Sequence, residues 1–65
     1  MSEDRLSLET LGRWNRAIAY ARRMLEIYKS TPGGLLGAMG IQTKIELYEA
    51  GDRSEALLEA MEAIE

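Results

Sequence analysis

Four of the six glycines in this 65-residue chain, Gly33, Gly34, Gly37 and Gly40, fall within eight consecutive positions. A glycine-rich entry to a helix leaves backbone N–H groups unshielded, and the helix dipole adds positive potential there, so Gly33–Gly34 is a candidate anion site. Upstream, Arg13, Arg16, Tyr20 and Arg23 recur at spacings of three and four, along one side of a helix. Arginines in that position offer planar forks to phosphate oxygens, and Tyr20 or Trp14 offers a flat face on which a base can stack. Gly33, Gly37, Gly40 and Lys44 follow a four-three-four spacing, a bare helical face that ends in a point charge. The expected ligand-binding set is therefore Arg13, Arg16, Tyr20, Arg23, Gly33, Gly34 and Lys44, and its ligand is small, anionic and nucleotide-like.

A purely structural account competes at every one of these positions. A helical face without side chains lets a second helix approach closely, and the basic segment is the obvious neighbour. Gly33 and Gly34 suit a loop with positive φ. The arginines have ready partners in the C-terminal glutamates. The run Gly-Gly-Leu-Leu-Gly-Ala-Met-Gly is neither a Walker loop nor a dinucleotide fingerprint.

Catalysis is poorly served. The chain has no histidine and no cysteine, which removes the usual zinc and iron ligands and any obvious nucleophile–base pair. Calcium loops of the EF-hand spacing are absent as well. A non-enzymatic protein without metal or cofactor is expected. Glu55, Glu59 and Glu62 stand at helical spacing as a solvated face, and Met24, Met39 and Met61 read as core filler.

Length limits the fold to one domain, whose single core rarely supplies more than about 3–5 kcal/mol. With disulfides excluded, self-association is the expected source of added stability, giving a homo-oligomeric helical bundle. The net charge of −3 is unevenly distributed: residues 11–29 carry five cations against Glu26, whereas residues 30–65 carry two against seven acids. Such segregation favours packing the basic segment on the acidic one, within or between chains. An acidic total argues against duplex nucleic acid as partner. No apolar run approaches the ~20 residues of a membrane span, and the polar start Met1-Ser2-Glu3-Asp4 does not read as a leader, so a cytoplasmic protein is expected.

Apolar periodicity predicts an all-α fold of three helices, at about 7–29, 33–50 and 53–64. Leu11, Trp14, Ile18, Ala21, Leu25 and Tyr28 share one face of the first, with Ala17, Tyr20, Met24 and Ile27 in a row beside it. Ser7 is its predicted N-cap, and Thr31-Pro32 is predicted to stop it and start the second helix, with Thr31 as cap and Pro32 at the first helical position. Ala38, Ile41, Ile45 and Tyr48 form the inner face of the second helix, adjoined by Leu36, Met39 and Leu47. Gly51 suits a left-handed cap, and Asp52 with Glu55 a capping box for the third helix, which buries Leu57, Met61 and Ile64, flanked by Leu58 and Ala60.

Two stretches resemble known patterns. Leu47 to Leu57 resembles the turn between the paired helices of a tetratricopeptide repeat, matched at Gly51-Asp52, Ala56 and Ala63. Gly40, Thr43 and Lys44 depart from that repeat's preceding helix, so the resemblance implies helix-turn-helix chemistry and carries over no peptide-binding residue. Thr31-Pro32-Gly33-Gly34, with Gly37-Ala38 and Ile41-Gln42, resembles short helical proteins encoded by bacteriophages, which implies interference with a host system. The functional expectation is a homo-oligomeric module that sequesters a nucleotide-like anion, for instance a host signalling nucleotide. The alternative is a docking module that inhibits a larger host protein.

Overall fold

The computed structural model describes residues 7–64, which form three α-helices: α1 Leu8–Lys29, α2 Leu35–Glu49 and α3 Glu55–Glu62. The expected all-α class and helix order hold, and no strand occurs among the described residues. Ser7 caps α1 as predicted, its Oγ accepting from the Thr10 N–H at 3.1 Å.

The connection to α2 differs from expectation. Thr31 does not cap α2; its hydroxyl donates back to the Ile27 carbonyl at 2.6 Å, closing the end of α1. Pro32 lies in the turn rather than the helix, and α2 starts at Leu35 with Gly34 as N-cap and no side-chain cap. Gly33 turns the chain with φ of 81°, a left-handed geometry that only glycine adopts freely. Gly34, at φ −89°, has a different constraint: a Cβ there would lie 2.5 Å from the Tyr28 carbonyl oxygen.

At the second connection Gly51 takes the predicted left-handed conformation, φ 107°. The capping box at Asp52 and Glu55 is not formed. Ser54 caps α3 instead, accepting from the Leu57 N–H at 3.2 Å, while Asp52 Oδ1 accepts from the Ser54 N–H at 2.9 Å. A short hydroxyl on extended backbone sits closer to the first helical turn than Asp52 does, so the carboxylate closes the turn before the cap. That backbone N–H holds the Asp52 carboxyl below its usual range.

The core joins all three helices. Trp14, Ala17, Ile18, Ala21 and Leu25 of α1 meet Ala38, Ile41 and Ile45 of α2, and Leu57, Leu58 and Met61 of α3 close one end. Two assignments shift: Leu58, at 1% exposure, is a central core residue rather than a flank, and Leu11 at 41% is not core. Ile64, predicted among the buried residues of the last helix, is only partly buried. Trp14 is 2% exposed and packs against Tyr48, the rings tilted by 36° with centroids 5.4 Å apart. Its indole N–H has no acceptor among the described residues. Arg53 covers this aromatic pair, its guanidinium 3.8 Å from the Tyr48 ring centroid, and donates to the Tyr48 carbonyl at 2.6 Å.

The segregated charges meet within the chain. Arg13 on α1 forks across both Glu62 oxygens, at 2.7 and 3.0 Å, and reaches Glu55 at 3.2 Å. The Arg13 hydrogen bonds hold the Glu62 carboxyl below its usual range and raise Arg13 still further above its own. Arg22 joins Glu49 of α2 at 3.4 Å. The long first helix is thus tied to both of its acidic neighbours.

Candidate functional site

The antiparallel register of α1 and α2 decides where each expected ligand-binding residue lies. Gly37 faces the Tyr28 ring near one end of the pair, and Tyr48 faces Trp14 near the other. Gly33 and Gly34 therefore sit beside Tyr28, at the C-terminal end of α1. Arg13 and Arg16 lie 15 and 12 residues back along that helix, about 22 and 18 Å away at helical rise. Arg23, about 8 Å along the axis from Tyr28, is the nearest of the three arginines to the turn. The single pocket expected where the glycine turn meets the Arg13/Arg16/Arg23 edge is not assembled within one chain.

The bare face is also divided. Gly33 is outside the helix, Gly37 gives way to the Tyr28 ring, and Gly40 meets nothing within 4 Å. Close approach of α2 to α1 thus accounts for Gly37, and contact with the Tyr28 backbone for Gly34. Arg13 is engaged by Glu62 and Glu55.

What remains of the expected set is a cationic row. Arg16, Tyr20 and Arg23 stand on successive turns of α1, all exposed, and the helix register sets half-buried Lys44 about level with Ala19 and Tyr20. Among the described residues, Arg23 and Lys44 make no ion pair or hydrogen bond, and Arg16 acts only through its charge on Glu62. No group of acids that could hold a metal ion is found among the described residues, nor is any helix long and apolar enough to cross a membrane.

A different surface stands out on α2. Its inner face is buried at Ala38, Ile41 and Ile45, yet Leu35, Leu36, Met39 and Leu47 are 69%, 82%, 59% and 44% exposed. Leu35, Met39, Thr43 and Leu47 recur every four residues and form one ridge along the helix. Apolar side chains consequently surround α2, and it has almost no amphipathic asymmetry. In water such a helix belongs inside something larger. Beside the ridge runs a groove of about 330 Å³, lined by Leu25, Lys29, Ala38, Met39, Gln42 and Thr43.

Leu36, Met39 and Leu47, expected to adjoin the core face, instead form a separate exposed surface. The signal available was their helical offset, nearly opposite Ile41 and Ile45. Spacing shows Arg53 only as a cation at the start of the third helix, because its partners are a ring and a carbonyl. Comparison with protein-family models, with curated proteins and with solved structures finds no match to this chain.

Proposed function

We propose that this chain is a non-enzymatic helical association module, which self-associates in the cytoplasm through the outer face of α2. The observation that carries this reading is the second apolar face of α2, Leu35, Leu36, Met39 and Leu47, exposed on a helix whose other face is already buried. Covering what is exposed of each side chain is worth about 1–2 kcal/mol, and a symmetric pair of copies buries eight of them. That gross gain is of the size needed to offset the entropy of association. It also answers the small core, which no disulfide can reinforce in a chain without cysteine.

The test is sedimentation over a wide concentration range. The wild-type chain is expected to sediment as a dimer or larger species, and Leu36→Glu together with Leu47→Glu to give a monomer with unchanged helical circular dichroism. A wild-type monomer at every concentration would overturn the reading.

The cationic row favours a second reading, in which Arg16, Arg23 and Lys44 accept a small anion with Tyr20 as stacking platform. In the setting implied by the phage resemblance, that anion is a host signalling nucleotide. Calorimetry with mono-, di- and cyclic nucleotides is expected to give binding that Arg16→Ala and Arg23→Ala each weaken about tenfold, the loss of one charge-assisted contact. Heat-free titration with all of them would dismiss it. The third possibility, docking of the same α2 face on a larger host protein, predicts that the two arginine substitutions leave function intact.

A further inference from the structure

The proposed self-association through the outer face of α2 leaves open how the two faces are oriented, and the groove beside α2 supplies an answer. It lies between Leu25 and Lys29 of α1 and four residues of α2: Met39 and Thr43 from the ridge that starts at Leu35, and Ala38 and Gln42 from the ridge that ends at Glu46, each ridge repeating every four residues. Grooves between such ridges receive the matching ridge of another helix, the commonest mode of helix packing. Buried Leu25 and Ala38 make its floor apolar, and Met39, exposed on its α2 side, is unbranched and able to fill an irregular gap in a partner.

Charge then orients the pair. Lys29 stands at the rim level with the start of α2, and Glu46 lies near the end of the same helix, on the ridge that walls the groove. Lys29 has only a loose contact with Glu26, 3.7 Å and exposed, and Glu46 only an exposed hydrogen bond from Gln42 at 3.1 Å. Contacts of this kind cost little to exchange. A parallel pair would set Lys29 against Lys29 and Glu46 against Glu46. An antiparallel pair sets each cation against an acid, twice, as an isologous interface requires.

We infer that two copies of this chain pack α2 on α2 in opposite directions about a two-fold axis near Met39–Thr43, each Met39 seated in the other's groove and each Lys29 opposite the other's Glu46. This rests on the self-association reading and is tested separately from it by charge exchange. Lys29 and Glu46 are both exposed, so their substitution spares the core. Lys29→Glu alone and Glu46→Lys alone are each expected to weaken the dimer about tenfold or more, because two attractions become two repulsions. The double variant Lys29→Glu/Glu46→Lys is expected to regain wild-type association. Mixing the two single variants is expected to give a heterodimer tighter than either homodimer, since its contacts are again complementary.

Sedimentation equilibrium reads all four species, with circular dichroism confirming that each is folded. A dimer that neither single variant weakens, or that the double variant and the mixture do not restore, overturns this geometry while self-association stands. A chain that never dimerises overturns both.

Discussion

Replacing Trp14 with alanine is expected to leave the chain largely unfolded at room temperature. Trp14 is buried at the junction of all three helices, against Tyr48 and under Arg53. Truncating a buried aromatic of this size costs about 3–5 kcal/mol, as much as a single small core usually supplies. α3, eight residues long, cannot persist alone and melts once its docking surface is lost. Circular dichroism and thermal melting provide the check: a cooperative transition retained within a few degrees of wild type would show that the core is organised around something else. The unpaired indole N–H offsets part of what the ring contributes, because a buried donor without acceptor costs about 1–3 kcal/mol.

Glycine-to-alanine substitution is expected to change sign within one stretch of seven residues. At Gly34 the new methyl meets the Tyr28 carbonyl at 2.5 Å and the Thr31 carbonyl at 3.2 Å, both backbone atoms that a rotamer change cannot move. The α1–α2 turn must shift, at a cost of about 1–3 kcal/mol. At Gly40, in the interior of α2, nothing lies within 4 Å, and alanine is expected to stabilise the helix by up to about 1 kcal/mol. Urea denaturation of the two variants, compared at equal protein concentration, measures both signs. If Gly34→Ala were neutral, close contact with the end of α1 would no longer explain that glycine.

These two results bear on different levels of the molecule. The tryptophan tests the core that holds the helices together. The glycine pair tests whether the cluster that first suggested an anion site is consumed by packing. Loss at Gly34 with gain at Gly40 is the pattern of a turn under tight steric control, followed by a helix side that the chain itself leaves open.

Much of the fold was legible in the order of residues. Helical periodicity placed Ile18, Ala21 and Leu25 on one inner face and Ala38, Ile41 and Ile45 on another, and all six are buried. Ser7 was readable as a cap, Gly33 and Gly51 as left-handed turns, and the basic and acidic segments as mutual partners, which Arg13–Glu62 and Arg22–Glu49 are. Each of these follows from interactions that are local in sequence or from a repeat of fixed period.

Tertiary structure alone decided the rest, because it depends on which residues of different helices come level with one another. The antiparallel register puts Gly34 against Tyr28, some 18–22 Å from Arg16 and Arg13 by helical rise, and so separates groups that spacing had brought together. Cap choice between Asp52 and Ser54 turned on backbone geometry that both residues' chemistry permits. The outer face of α2 became visible only when Ala38, Ile41 and Ile45 were buried and Leu36, Met39 and Leu47 were not. Periodicity shows that a helix has two apolar sides, whereas which side the chain's own core covers is settled by packing.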